Sequence, residues 1–226
     1  MTESILEGYE SISVLGEQLW LLPQKAIFWP ARKTLFVSDI HLGKTNHFRK
    51  AGIAMPLAIH ESDLNRLKWL IEATETQQCL ILGDLFHSDL NGEWGLFEEW
   101  LETLAGVEFK LVPGNHDILP DYAYQRAGIE VTPPIYAVGP FAFVHDPADA
   151  PEARRQTGCA MVFSGHVHPA FRLYGKARQS IRFPCFYFSD GLTILPSFGS
   201  FTGSHTVRTS KRDRVFLCVE NEVLAV

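Results

Sequence analysis

Apolar residues in this chain fall into short runs with polar breaks, and the spacing inside the runs changes along its length. QLWLL (18–22) and AIFW (26–29), split by Pro23–Lys25, read as two short strands of a hairpin. TLFV (34–37) and CLIL (79–82) show no alternation, the pattern of strands buried on both faces. Between them, HESDLNRLKWLIEATE (60–75) sets Leu64, Leu67, Leu70 and Ile71 at helical spacing. WGLFEEWLETL (94–104) likewise puts Trp94, Phe97, Leu101 and Leu104 on one helical face. FKLV (109–112), FAFV (141–144) and MVFS (161–164) read as further strands, and the segment from Arg172 to Val226 as mostly β. Strands alternating with helices, then a strand-rich tail, predict an α/β sandwich with mixed sheets. No repeat or linker interrupts the pattern, so 1–226 is expected to form a single domain.

Five of these apolar segments end in chemistry. TLFV runs into Ser38-Asp39-Ile40-His41, CLIL into Gly83-Asp84, FKLV into Pro113-Gly114-Asn115-His116-Asp117, FAFV into His145-Asp146, and MVFS into Gly165-His166-Val167-His168. Ligand sites of open α/β sheets lie just beyond the carboxyl ends of the strands, so the five tips converge if the segments are sheet neighbours. Side chains two apart in extended backbone point the same way, which lets Asp39 and His41, or His166 and His168, address one ion. Glycines before Asp84, Asn115 and His166 permit tight turns there. Asp39, His41, Asp84, Asn115, His145, His166 and His168 exceed the needs of one tetrahedral ion. Two ions roughly 3.5–4 Å apart, bridged by a carboxylate, would use them all. Mixed imidazole and carboxylate ligation favours manganese, with iron or zinc as alternatives, over magnesium or calcium. Taken singly, Asp39 or Asp84 reads as a turn or helix N-cap and each histidine as a hydrogen-bonding residue; their joint occurrence decides.

Composition narrows the setting. The chain is 46% apolar and 20% charged, ordinary for a globular protein, and its net charge of −6 gives no global basic footprint for a long nucleic-acid groove. Four cysteines (Cys79, Cys159, Cys185, Cys218) are far apart with apolar flanks and no CxxC, the pattern of buried free thiols in a reducing compartment. The acidic start MTESILEGYE lacks a signal pattern and no apolar run reaches membrane-spanning length, so a cytoplasmic protein without membrane contact is expected. Phosphate-loop, dinucleotide-binding and serine-elbow motifs do not occur.

The block order DxH, GD, GNHD, H, GHxH from Asp39 to His168 resembles the calcineurin-like metallophosphoesterases. That resemblance implies an α/β/β/α sandwich of two mixed sheets flanked by helices. A narrower similarity, carried by SDIHLGK with HFRKAGI, by GDLFH and by the tail PCFYF…ILPSFGSFTG, is to the ligase-associated DNA damage response endonucleases, the PdeM family. The resemblance implies one ion held by Asp39, His41 and His168, a second by Asn115, His145 and His166, and Asp84 bridging both. Such ions activate water for in-line attack on phosphorus and neutralise phosphoryl charge. His116 then stands free to act as general acid or phosphoryl donor. Asp117 is expected to orient its imidazole, with N-capping of the helix at LPDYAYQRA as the rival role; Asp146 is read as a loop residue. His87 replaces the aspartate of the commoner GDxxD and is a candidate for contact with metal or substrate phosphate.

Basic residues flank two of the blocks. Lys44 and Arg49 are the leading candidates for phosphate contacts, with Phe48 a candidate for base stacking; Arg32, Lys33 and Lys50 lie near the same motif, and Arg172, Lys176, Arg178 and Arg182 follow GHVHP. The reading is therefore a phosphodiesterase or endonuclease acting on DNA in repair, functionally associated with a DNA ligase and a helicase. One alternative is a hydrolase of small phosphodiesters or pyrophosphates, such as the UDP-diacylglucosamine hydrolases; those carry Arg at the position of His116. A non-catalytic scaffold is the other, set against retention of His116 and all seven ligands. The apolar tail suits core strands or a homodimer interface equally.

Overall fold

The structure is a computed structural model and describes residues 6–43, 58–87, 89–176 and 179–226. Its first sheet has seven strands in chain order: β1 Glu10–Val14, β2 Glu17–Leu22, β3 Ala26–Trp29, β4 Thr34–Val37, β5 Gln78–Leu82, β6 Glu108–Val112 and β7 Ile129–Val131. The hairpin expected at 18–29 is the antiparallel β2–β3 pair. From β4 to β7 the pairing is parallel. Parallel neighbours need crossovers, supplied by helices α1 Ala58–Ala73, α2 Gly92–Glu102 and α3 Asp121–Arg126.

The second sheet contains β8 Tyr136–Val138, β9 Phe141–Phe143, β10 Met161–Ser164, β11 Pro169–Tyr174, β12 Ser180–Ser189, β13 Leu192–Ile194, β14 His205–Thr206, β15 Arg214–Val219 and β16 Glu222–Ala225. Within it β9, β10 and β13 run parallel, and helix α4 Ala150–Thr157 crosses between β9 and β10. The expected two mixed sheets with flanking helices are present.

Period-two alternation explains the layers. In β4, Phe36 faces the second sheet while Leu35 and Val37 face the helices; in β5, Leu80 and Leu82 face inward while Cys79 and Ile81 face out. Trp29 and Phe36 meet Phe141, Phe143 and Phe163 of the second sheet, with centroids 4.9 Å apart for Trp29–Phe141 and for Phe36–Phe143. This aromatic layer lies directly beneath the metal motifs, and truncating Phe36 to Ala there would cost about 3–5 kcal/mol. On the outer face of the first sheet, Trp94, Phe97 and Leu101 of α2 pack beside Leu67, Leu70 and Ile71 of α1. The tail is core as well: Phe186, Leu195, Phe198 and Phe216 are buried. Cys79, Cys185 and Cys218 are buried free thiols, and Cys159 is partly buried. Among the described residues, no helix is long and apolar enough to cross a membrane.

Candidate metal centre

The five polar tips do converge, but from two sheets. β4, β5 and β6 deliver Asp39, Asp84 and Asn115, while β9 and β10 deliver His145 and His166. The site straddles the top edge of the sandwich, where both sheets end. Two pins hold the sheets together there. His145 Nδ1 donates to the Leu82 carbonyl at 2.9 Å, and the His166 N–H donates to the Asp39 carboxylate at 3.0 Å.

Extended backbone is not what aligns Asp39 with His41. Strand β4 stops at Val37, and Asp39 and His41 each adopt a left-handed conformation at φ 54°. Asp84, His166 and His168 do the same, at φ 53°, 69° and 51°. A left-handed non-glycine residue costs roughly 1 kcal/mol, so strain is concentrated on five of the seven candidate ligands. Cross-loop hydrogen bonds hold it in place: Asp39 N to Gly83 O at 3.1 Å, His41 N to Asp84 O at 2.9 Å and Gly165 N to His145 O at 3.0 Å. At Gly83 and Gly165 close approach leaves no room for a side chain. A β-carbon on Gly83 would strike the His145 ring, and one on Gly165 would sit 2.6 Å from Asp39 Oδ2.

The donor atoms form two groups. In each group, Asp39–His41–His168 and Asp84–His145–His166, the ligand atoms lie within 4.8 Å of one another. Asp84 faces both: Oδ2 is 3.6 Å from His41 Nε2, and Oδ1 is 3.4 Å from His145 Nε2. Asn115 Oδ1 stands 3.1 Å from His145 Nε2, which adds it to the second group. His41 Nε2 and His168 Nε2 approach to 3.3 Å, and His166 Nδ1 and His145 Nε2 to 3.1 Å. Ring nitrogens aimed at one another this closely, beside fully buried carboxylates, form a donor set shaped for cations.

Further contacts fix the donors. With Nδ1 of His145 bonded to Leu82 O, and Nδ1 of His168 3.1 Å from Gly203 O, both rings turn Nε2 inward. His166 presents Nδ1 instead, while its Nε2 lies 3.9 Å from Asp146 Oδ2. Asp146 is otherwise the loop residue expected, capping a turn through Ala148 N. Burial pushes the Asp39 carboxyl up, but the His168 imidazole, with His145 and the Ser38 hydroxyl, outweighs it, leaving Asp39 below the usual carboxylate range.

Asp117 corrects the sequence reading. It neither orients the His116 imidazole nor caps helix α3, whose cap position is Pro120. Its Oδ2 accepts from Asp84 N and Gly114 N, both at 2.8 Å, and its Oδ1 from Leu85 N at 2.9 Å and Phe86 N at 3.3 Å. One carboxylate thus ties the Asp84 loop to the Asn115 loop, because four backbone donors there have no ladder partner. Burial, with the Asp84 charge beside it, pushes its carboxyl up to about 6, against the pull of the Gly114, Phe86 and Leu85 N–H donors.

His116 sits half-buried at the rim, its N–H donating to Asp84 Oδ1 at 3.0 Å. His87 reaches the site: its ring centroid is 3.8 Å from that of His116 and 5.4 Å from that of His41. Lys44, Arg49 and Phe48 lie outside the described residues. Arg32 and Lys33 precede β4 and are a strand's length from Asp39; Lys33 pairs with Glu75 and Arg32 lies over the Trp29 ring.

Sequence patterning missed the props behind Asp39. Ser197 Oγ donates to Asp39 O at 2.8 Å, and Phe198 N and Gly199 N donate to Ser38 O and Asp39 O. That segment is anchored in turn by Asp63, which accepts from Ser200 N and pairs with Arg66 at 2.9 Å. The SFGS run of the tail is therefore the back wall of the first donor group. In the sequence this run showed only as part of the tail segment ILPSFGSFTG that carries the narrower family similarity, with nothing to tie it to Asp39.

Comparison with known proteins follows this geometry. Residues 32–145 match the family model of calcineurin-like phosphoesterases. The crystal structure of Pseudomonas putida nuclease MPE is 31% identical, covers 96% of this chain and 100% of that one, and superposes with a TM-score of 0.80. YfcE, a phosphoesterase from E. coli, is 14% identical over 85% of this chain and 97% of its own, at a TM-score of 0.43. Vps29 from Entamoeba histolytica, complexed with zinc, is 16% identical over 85% and 96%, at 0.40. No protein of curated function matches.

Proposed function

The chain belongs to the calcineurin-like phosphoesterases and is a phosphoester hydrolase, and from that premise we propose that it is a two-metal phosphodiesterase that cuts DNA. The observation that carries this reading is Asp84. Its carboxylate lies 3.6 Å from His41 Nε2 of one donor group and 3.4 Å from His145 Nε2 of the other, so it is placed to serve ions held in both. Asp39, His41 and His168 would hold one ion, and Asn115, His145 and His166 the other. The donor set suits divalent manganese first, then iron or zinc. Bound there, the ions supply activation of water and neutralisation of phosphoryl charge.

The chain's own groups do the rest. Cross-loop hydrogen bonds hold the donors before substrate arrives, which lowers reorganisation during reaction. His116, half-exposed beside the bridging Asp84, hands a proton to the leaving oxygen. His87, packed on the His116 ring, limits where that imidazole can turn and contacts the substrate phosphate. Lys44 and Arg49 are proposed to contact the DNA backbone. DNA as substrate is supported by the similarity to a nuclease along nearly the whole chain. A role in repair in the cytoplasm, alongside a DNA ligase and a helicase, rests on the PdeM-like segments. The test is cleavage of end-labelled single-stranded and duplex DNA with manganese, His116→Ala run in parallel. Cutting that needs both manganese and His116 is expected. Intact DNA beside turnover of a generic aryl phosphodiester would move the substrate to small diesters.

A further inference from the structure

Behind His168, on the Nδ1 side of its ring and away from the Asp39 and His41 donors, the surface folds into a hollow of about 280 Å³. Whole small-molecule pockets span roughly 300–1,000 Å³, so this one suits a single phosphate with part of an adjoining sugar. Its wall includes Lys25, Arg182, Thr202, Ser204 and His168 itself. Gly203, whose carbonyl lies 3.1 Å from His168 Nδ1, is part of the same wall. The hollow therefore abuts the outer edge of a ring whose inner edge faces the first donor group.

Two cations line it, neither with an ion-pair partner among the described residues. Lys25 sits in the β2–β3 turn at φ 67°, half-buried, and its ammonium has no ion-pair partner among the described residues. The nearby carboxylate, Asp63, is already taken by Arg66 and Ser200. Burial and the proximity of Arg66 together pull the Lys25 ammonium below the usual lysine range. Arg182, on β12, stands directly opposite Arg172 of β11 in the antiparallel register. Like charges so placed repel, and an anion between or beside them removes the repulsion. Arg172 in turn lines a larger hollow of about 930 Å³ with Tyr174 and Arg208, so positive charge continues away from the metals.

We propose that Lys25 and Arg182 form a subsite for a backbone phosphate of the substrate strand adjacent to the one being cut. The proposal rests on the DNA-cutting reading. The reacting phosphorus belongs between the two donor groups, beside His116; the hollow lies beyond His168, so its occupant is a neighbouring phosphate. This subsite distinguishes a polynucleotide from a small diester, which has no second phosphate to offer.

The test uses the full chain with Lys25→Gln, Arg182→Gln and the double substitution. Binding of a fluorescent single-stranded oligonucleotide to metal-free protein is followed by anisotropy across a salt series. Each lost cation is expected to reduce the slope of log affinity against log salt by about 0.7. With manganese, KM for the oligonucleotide is expected to rise about tenfold per substitution with kcat within twofold, while KM for an aryl phosphodiester moves less than twofold. Slopes and KM values equal to wild type, in a chain that cuts DNA, overturn the subsite alone. Equal losses on the oligonucleotide and the aryl diester assign Lys25 and Arg182 a structural role and overturn it too. A wild type that neither binds nor cuts DNA overturns both readings.

Discussion

Replacing Asp117 with Asn separates a scaffolding role from a catalytic one. The carboxylate accepts four backbone N–H groups on two oxygens. Asn keeps one accepting oxygen and turns an NH2 donor toward two N–H donors. Two charge-assisted bonds are lost, each worth about 1.5–3 kcal/mol before solvent relaxes the partly buried site. A net cost of about 2–4 kcal/mol follows, and at about 2–4 °C per kcal/mol for a chain this long the melting temperature should fall roughly 5–15 °C. Thermal unfolding of the metal-free variant measures it by near-UV dichroism. Metal affinity should fall with it, because the Asp84 and Asn115 loops are tied through this one side chain. A variant that melts within about 2 °C of wild type yet loses kcat a hundredfold would refute the reasoning and return Asp117 to the service of His116.

Further outcomes follow from the same contacts. Gly83→Ala drives a β-carbon into the His145 ring, so elemental analysis after reconstitution with manganese should find one ion in the variant against an expected two in wild type. Chelation should destabilise the chain: an ion at 100 times its Kd adds about 2.7 kcal/mol, so removing each should lower the melting temperature by roughly 5–10 °C. Ser197→Ala removes the bond to the Asp39 carbonyl and should cost about 1 kcal/mol of stability and weaken the first metal, read by urea unfolding and manganese titration. His116→Ala should lower kcat at least a hundredfold if it is the proton donor, and His87→Ala about tenfold with the pH profile displaced, both measured on an aryl phosphodiester.

Much of this site could be read from the sequence because its candidate ligands sit at the ends of buried strands. A strand without alternation shows as an apolar run, and a polar residue at its end is conspicuous. Asp39, Asp84, Asn115, His145 and His166 were all visible in this way. What the chain does not display is which sheet each strand joins. The division of β4, β5 and β6 from β9 and β10 comes from tertiary packing of Phe36 against Phe143 and Phe163. The left-handed backbone at Asp39 and His41 was hidden for a related reason, since the contacts that impose it come from Gly83, Asp84 and Ser197, far off in sequence. Asp117 misled because its neighbour His116 suggested a pair, whereas its partners lie 31 to 33 residues away as well as at Gly114. Lys25 carried no signal at all; it is an ordinary turn lysine until the fold closes Arg182 and the Thr202–Ser204 wall around it.

The central claim is a two-ion centre that cuts DNA. It is tested most directly by stripping the chain of metal, restoring manganese by fractions of an equivalent, and measuring cleavage of an end-labelled single strand at each step. The account expects cutting to lag behind metal content at low occupancy, to rise as both donor groups fill, and to reach a plateau at two equivalents. Full activity at one equivalent would contradict the bridging role of Asp84, and an uncut strand at every occupancy would contradict DNA as the substrate.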